Sequence, residues 1–358
     1  MEKILIKGNE AIGLAAIKAG CKAFFGYPIT PQNELPEYMS RELSKNGGVF
    51  IQAESEIAAI NMVYGAAGCG ARVMTSSSSP GIALKQEGIS YIVGAELPCV
   101  IVNVMRGGPG LGGIQPSQAD YFQGTRGGGH GDYYMPVYTP ATVQETFDLV
   151  IKGFQVADRY RTPVLILVDG IIGQIMEAIE IKDSYPQEEI KKEWATKGTN
   201  RERKPNIINS LFLNPEKLEE HNDRLFEKYE IIKREEELSE TLYLEDSEIV
   251  LVAYGTTSRI VKQAIEDLRD EGIKVGLVRP ITAWPFPYSK IQNLNTNVNS
   301  ILVVEMSKGQ MIQDVLLGNK NQKNIFFLGR TGGMVPSIEE VKGKVKEILR
   351  GEANEYSL

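Results

Sequence analysis

Three short segments of this 358-residue chain bring together side chains that can hold a small anion and move a proton. They are Tyr27-Pro28-Ile29-Thr30-Pro31, Glu54-Ser55-Glu56-Ile57-Ala58-Ala59 and Arg106-Gly107-Gly108-Pro109. They offer a hydroxyl, a carboxylate at the start of a helix, and a guanidinium beside glycines. Each lies at the C-terminal end of an apolar, strand-like run or just beyond it, and in an open α/β sheet that edge is where ligands bind. An acid, an alcohol and an arginine converging there suit a site that handles a small anionic substrate beside a cofactor needing a proton donor.

Pro28 and Pro31 fix φ on either side of Ile29-Thr30, so the Thr30 hydroxyl and nearby amides have little entropy left to lose. The same turn also reads as a strand-to-helix connection with Thr30 or Asn33 as an N-cap. Glu56 opens a small-residue helix, Ile57 to Ala67, where the macrodipole favours a carboxylate. Close packing by Ala58, Ala59, Gly65 and Ala66 would place it in a low-dielectric setting, where proton exchange with a cofactor nitrogen is feasible near neutral pH. Glu54, two residues earlier on an extended segment, faces the same way. Arg106 closes an apolar strand, and its fork matches a carboxylate bidentately. The glycines through Gly113 admit close backbone approach, or form a mobile surface loop. Thr75-Ser76-Ser77-Ser78-Ser79-Pro80-Gly81 presents hydroxyls and amides to an anion or a pyrimidine edge, or is a plain loop. The glycine-rich run Thr125 to Asp132 reads as a loop bordering the site, with His130 lacking any local partner.

The elements that must position these residues follow an α/β alternation. Expected strands lie at 22–26, 49–52, 71–75, 97–105 and 163–169, with helices at 11–19 and 57–67 between them. Near-continuous apolar strands separated by helices imply a parallel sheet buried on both faces, a doubly wound α/β domain. Composition then changes: 191–240 is rich in Lys, Glu and Asn, and its periodicity over 215–240 predicts one long polar helix with a solvated face. A second α/β pattern starts near Ser247, with strands at 249–255, 274–278, 301–305 and 325–328. The expected organisation is therefore a domain over 1–180, a polar helical arm over 181–245 and a second α/β domain over 246–358.

Composition narrows the classes. The length suits roughly two domains, and 42% hydrophobic residues is ordinary for a globular protein. A net charge of -7 without a basic stripe argues against nucleic acid. No run approaches the roughly 18 apolar residues of a membrane span, and the start lacks a signal-peptide pattern, so a cytoplasmic location is expected. Cys21, Cys69 and Cys99 are scattered singly, match no zinc or iron–sulfur spacing, and read as buried thiols. No metal ligand is assigned to this chain.

Taken together, the segments resemble the α subunits of thiamine-diphosphate-dependent 2-oxoacid:ferredoxin oxidoreductases. The resemblance runs over essentially the whole chain. Beside the four segments Tyr27–Pro31, Glu54–Ala59, Thr75–Gly81 and Arg106–Pro109, it includes Arg279-Pro280-Ile281-Thr282, the run Val304 to Gln310, and the run Gly329 to Pro336. It implies that the first domain is the pyrimidine-binding domain for the cofactor and that residues from about 246 form a transketolase C-terminal-like domain. It places the catalytic glutamate on Glu56 rather than Glu54, by the spacing to Gly70-Ala71 and Gly81. It puts Thr30 and Arg106 on the substrate carboxylate, and Tyr27, Pro28, Ile29, Glu56 and Ser79 on the cofactor.

The family holds the cofactor diphosphate through Mg2+ with a Gly-Asp-Gly motif, which neither Gly131-Asp132-Tyr133 nor Val168-Asp169-Gly170 supplies. The resemblance therefore implies a β subunit carrying that half of the site, γ or δ subunits carrying iron–sulfur clusters, coenzyme A as co-substrate and ferredoxin as electron acceptor. Alone, the chain is expected to be inactive. The Gly107–Gly113 run, Gln115-Pro116-Ser117-Gln118-Ala119-Asp120 and the 126–132 loop look most like enzymes acting on branched 2-oxoacids such as 3-methyl-2-oxobutanoate, with 2-oxoglutarate as runner-up. A non-redox thiamine-dependent decarboxylase or transketolase-like half, or a non-catalytic scaffold, are the remaining classes; Glu56 and Arg106 argue against the scaffold.

Overall fold

Apolar runs with no polar face, such as Cys99–Met105 and Pro163–Asp169, fit a parallel sheet covered on both sides, and every residue of both is buried. A computed structural model describes residues 2–182, 184–185 and 190–356. In chain order the strands of the first half are β1 (Glu2–Lys7), β2 (Ala23–Gly26), β3 (Val49–Gln52), β4 (Val73–Ser77), β5 (Cys99–Met105), β6 (Val137–Tyr138), β7 (Pro163–Asp169) and β8 (Met176–Ile181). Those of the second half are β9 (Ser239–Leu242), β10 (Ile249–Val252), β11 (Val275–Pro280), β12 (Thr282–Trp284), β13 (Ser300–Glu305) and β14 (Asn324–Gly329).

The main sheet runs β12-β6-β7-β5-β4-β2-β3, parallel throughout except for β12. The chain leaves β2 for β3 on one side, then crosses back to β4 on the other. With right-handed crossovers, this reversal sends the intervening helices to opposite faces. Helices Glu56–Gly68 and Ser79–Gly94 pack together, as do Gly8–Lys18 and Val143–Tyr160. The doubly wound architecture expected from the sequence is present. A second sheet, β14-β13-β10-β11-β9, is parallel apart from β9, and β1 pairs with β8 as a separate antiparallel ribbon.

Three details differ from the expectations. The polar helix over 215–240 ends at Glu235, because Ser239–Leu242 is β9 and pairs with β11; the segment expected as an interdomain arm thus adds a strand to the second sheet. That helix is not solvated all round: His221, Leu225, Tyr229 and Ile232 form a buried stripe at helical spacing. Tyr229 meets Tyr134 and Trp284 edge-on, at ring-centroid distances of 5.7 and 5.8 Å. Of the three thiols, Cys21 and Cys99 are buried but Cys69 is exposed.

The two halves are fastened by buried hydrogen bonds concentrated on 117–126, the segment that follows Arg106. Gln118 Nε2 donates to the Tyr254 carbonyl at 2.8 Å, and Gln118 Oε1 accepts from the Met306 amide at 2.9 Å. Gln310 returns the pattern, accepting from Phe122 N at 2.8 Å and donating to Ala119 O at 2.7 Å. Asp314 accepts from Tyr121 Oη at 2.7 Å and from Arg126 Nη2 at 3.0 Å. The Asp169 carboxylate accepts from Thr256 N at 2.9 Å and Thr256 Oγ1 at 2.7 Å. Gln118→Ala would strand the Met306 amide in the interior, while the Tyr254 carbonyl keeps the Thr257 hydroxyl as donor at 2.7 Å. At about 1–3 kcal/mol for such a group, a loss of that size is expected from the urea midpoint, and an unchanged midpoint would show that this contact contributes no stability.

Candidate active site

Because β2, β3, β4, β5 and β7 are parallel, their carboxyl ends share one edge. The reversal between β2 and β4 opens a crevice there. Tyr27 follows β2, the helix beginning at Glu56 follows β3, Ser78-Ser79 follows β4 and Arg106 follows β5. The three segments singled out in the sequence meet at this crevice.

Arg106 is buried, with Nη1 donating to the Thr30 carbonyl at 2.9 Å and Nη2 to the Leu111 carbonyl at 3.1 Å. Its Nε has no partner among the described residues. Thr30 thus meets the arginine through its backbone, which leaves its hydroxyl without a hydrogen bond to any described residue. The turn is tied to β4 by Gln32: its Nε2 donates to Tyr27 O at 3.4 Å, and its Oε1 accepts from Ser76 Oγ at 2.5 Å. Tyr27, Pro28 and Thr30 are exposed at the rim.

Ser79 knots the edge together. Its φ of 22° lies outside the regions L-residues ordinarily occupy, and such strain persists only where surrounding bonds impose it. Here Ser79 N donates to Asn103 Oδ1 at 2.9 Å, Ser79 Oγ donates to Asp120 Oδ2 at 2.5 Å, and Ser79 Oγ accepts from the Arg106 amide at 2.9 Å. Asn103 Nδ2 reaches the same Asp120 oxygen at 3.0 Å. Burial raises the Asp120 carboxyl above its ordinary 3.8, against the pull of the Ser79 and Asn103 bonds.

Glu56 and Glu54 separate cleanly. Ser55 caps the helix by accepting from Ala58 N at 3.2 Å, so Glu56 is already helical and buried while Glu54 stays exposed. The idea that both share one extended segment and one face does not hold. Glu56 lies against Gly81, where a Cβ would come within 2.7 Å of Glu56 Oε1 and would also strike Ser77 Oγ. Buried Ser77 Oγ and Ser78 Oγ have no partner among the described residues.

A cavity of about 760 Å3 opens between the two halves, lined by Ser79, Arg106, Gly107–Gly110 and Asp120 from one and by Ser307, Lys308, Gln310 and Thr331 from the other. Glu56 and Thr30 are not among its lining residues. The Thr125–Asp132 loop, expected to border the site, lies elsewhere: Gly128 packs on Gln86, and His130 and Asp132 line a separate pocket of about 230 Å3 with Phe212 and His221. Asn103, Gln32 and Lys85, which brace the edge from behind, drew no attention in the sequence. For Asn103 and Lys85 the signal was a polar residue inside an otherwise apolar strand or helix face; Gln32, in the turn before the helix Glu34–Glu42, offered none.

The sequence profile described as pyruvate flavodoxin/ferredoxin oxidoreductase, thiamine diP-bdg, matches residues 14–240, and pyruvate:ferredoxin oxidoreductase core domain II matches residues 247–341. The chain belongs to this oxidoreductase family. Ketoisovalerate oxidoreductase subunit VorB of Methanothermobacter marburgensis is 47% identical over 98% of this chain and 99% of that protein. The 2-oxoglutarate synthase subunit KorA of Methanocaldococcus jannaschii is 36% identical, covering 96% and 100%. Among solved structures, the 2-oxoglutarate:ferredoxin oxidoreductase of Magnetococcus marinus, with 2-oxoglutarate, coenzyme A and succinyl-CoA bound, superposes with a TM-score of 0.86 at 27% identity, over 96% of this chain and 65% of that one. A split-gene transketolase in an inactive tetramer shares the fold alone, at TM-score 0.60 and 14% identity.

In this family member the Ser79 knot makes its own forecast. Ser79→Ala leaves the Arg106 amide unpaired and removes one bond to Asp120, so chemical denaturation should record a loss of about 1–3 kcal/mol. Asp120→Asn tests the buried acid. Its raised carboxyl means the folded chain holds a proton that the unfolded chain releases, so stability falls as pH rises from 3.8 through the raised value. The asparagine variant should lose that slope, and an identical pH–stability curve would refute the burial argument.

Proposed function

We propose that this chain is the α subunit of a 2-oxoacid:ferredoxin oxidoreductase acting on a branched 2-oxoacid, 3-methyl-2-oxobutanoate. The substrate loses carbon dioxide, its acyl group passes to the coenzyme A thiol, and the released electron pair goes singly to ferredoxin. The observation that carries this reading is a buried carboxylate, Glu56, on the same crevice edge as a buried arginine whose Nε lacks a protein partner. The branched acid is favoured over 2-oxoglutarate by the higher identity to VorB than to KorA, each over nearly the full length.

The residues fit the pyrimidine half of thiamine diphosphate. Glu56 would hold the pyrimidine ring, and the partnerless Ser77 and Ser78 hydroxyls and the Tyr27-Pro28-Ile29 rim would bound it. The cofactor supplies, when bound, the nucleophilic carbon and the electron sink that decarboxylation needs. Glu56 holds and returns a proton at its carboxylate, in a setting dry enough to strengthen that interaction. Arg106 and Thr30 fix the substrate carboxylate, the group common to every 2-oxoacid. Ser79 contributes shape rather than a free hydroxyl, since its Oγ is committed to Asp120 and the Arg106 amide.

The other half of the site belongs, in this reading, to a β subunit that holds the diphosphate with Mg2+, and iron–sulfur clusters belong to further subunits. Asp169 is unsuited to the metal role because Thr256 and the helix amides of Ile171 and Ile172 engage its carboxylate. Val49 and Ile51 on β3 and Ile57 and Met62 on the Glu56 helix are exposed, an apolar surface of the kind that partner chains cover. No helix among the described residues is long and apolar enough to cross a membrane.

Co-expression with a β subunit of this family, followed by assay on a panel of 2-oxoacids with coenzyme A and a one-electron acceptor, tests the reading. Turnover should be fastest on branched acids, and a preference for 2-oxoglutarate would replace the substrate assignment. In the same complex Glu56→Ala should lower turnover by about a hundred- to ten-thousand-fold, the usual worth of a proton-transfer group, with assembly intact by gel filtration. Should Glu54→Ala be the inactive variant instead, the catalytic assignment is wrong by two residues. Arg106→Lys keeps the charge but loses the fork, a loss of about 1.5–3 kcal/mol that should raise KM for every 2-oxoacid by a similar factor. A sharp change in preference between branched acids and 2-oxoglutarate would mean that Arg106 reads the side chain.

A further inference from the structure

The loop that leaves Arg106 rims the cavity and is fastened at its base. Gly107 N donates to Gln115 O, and Gly113 N donates to Gly107 O, both at 2.9 Å. A Cβ on Gly112 would strike Gly107 O at 1.9 Å, so the chain closes there too tightly for a side chain. The tip, Gly108 to Leu111, packs loosely: a Cβ on Gly108 or Gly110 would meet open space. Among the described residues its one hydrogen bond runs to the binding site itself, where the Leu111 carbonyl accepts from Arg106 Nη2 at 3.1 Å.

Gly110 and Gly112 take φ of 69° and 59°, a region that glycine enters freely and leucine does not. Between them the tip presents a single large side chain, Leu111, which is 86% exposed. An exposed leucine alone signifies little. Its placement signifies more. Nη2 carries two hydrogens, so Arg106 can hold a carboxylate along its partnerless Nε edge and keep the Leu111 carbonyl as well. In a 2-oxoacid only the keto carbon separates the carboxylate from the side chain. A residue beside the guanidinium is therefore beside the side chain of any such acid that the guanidinium holds.

The cavity wall is too open to select that side chain unaided. Its volume of about 760 Å3 far exceeds what a five-carbon acid fills, and Pro80, Ala83, Pro109 and Ala119 offer only small apolar surfaces. We propose that Leu111 is a specificity-determining residue: the loop lays its isobutyl group over the branched alkyl end of a 2-oxoacid whose carboxylate Arg106 holds. A second carboxylate in that place would be covered by a group that cannot pair with it, at a cost in desolvation. The proposal rests on the reading of Arg106 as the carboxylate-binding residue, and it adds what reads the opposite end of the substrate.

The test is a pair of variants in the complex reconstituted with a β subunit, assayed on 3-methyl-2-oxobutanoate, pyruvate and 2-oxoglutarate. Leu111→Ala should lower kcat/KM for the branched acid about tenfold, the order expected for alkyl groups lost from an apolar contact. Pyruvate, whose methyl group is too short to meet the loop, should change little. Leu111→Arg should raise 2-oxoglutarate relative to the branched acid by supplying a partner for its second carboxylate. Equal falls on the branched acid and pyruvate, or an unmoved ratio, would overturn the proposal. So would loss of the β subunit from the Leu111→Ala complex on gel filtration, which would mark Leu111 as a subunit contact. The underlying reading fails differently: KM values unmoved by Arg106→Lys would remove the carboxylate assignment, whatever Leu111 does.

Discussion

The hydrogen bond from the Arg106 amide to Ser79 Oγ is the contact on which the geometry of the site depends. It sets the direction in which β5 leaves the sheet and holds Ser79 in a conformation its own backbone disfavours. From Arg106 the chain runs through Gly107, whose amide donates to Gln115 O at 2.9 Å, into the segment that Gln118, Tyr121 and Arg126 fasten to the second half. The segment that carries Arg106 is thus hydrogen-bonded directly to the second half. The second half is in effect a clamp on the first, and the cavity lies where the clamp meets the crevice.

The edge itself is built at a loss. Arg106 Nε, Ser77 Oγ and Ser78 Oγ are buried without protein partners, and each such group weighs against folding unless something pairs with it. Partnerless buried atoms also occur away from the edge, among them Tyr138 Oη, Thr162 Oγ1 and Arg279 Nε, whereas wholly buried Glu305 collects Ser307 and the amides of Gln310, Met311 and Ile312. What sets the edge apart is that three such groups end or follow the adjacent strands β4 and β5, where a ligand can reach them.

The central strands were legible because they carry no polar face. Cys99–Met105 and Pro163–Asp169 can only be interior, and both were placed within two residues. Glu56 was legible from its position ahead of a small-residue helix, although the reason it differs from Glu54 is the Ser55 cap, which sequence periodicity does not weigh. The edge strands were not legible. Ser239–Leu242 reads as the polar tail of a helix, and Thr282–Trp284 is too short for any period to show; pairing with distant partners decides both. The glycine-rich run after Thr125 was assigned to the site on composition, yet its glycines are needed to pack against Gln86 and Ser90. Lys85 escaped notice because a lone lysine in a helix is ordinarily a solvated one.

The pairing of β12 with β6 has a consequence for how the chain is made. Thr282 lies opposite Tyr138, and the Thr139 amide donates to Ile281 O at 2.8 Å, so the margin of the first sheet is completed by residues from the far side of the second. During synthesis the nascent first domain waits with that margin uncapped until Trp284 has emerged from the ribosome. Contacts so distant in sequence close slowly. The halves consequently mature together rather than in succession, and a gene fission between them would part strands that belong to one sheet.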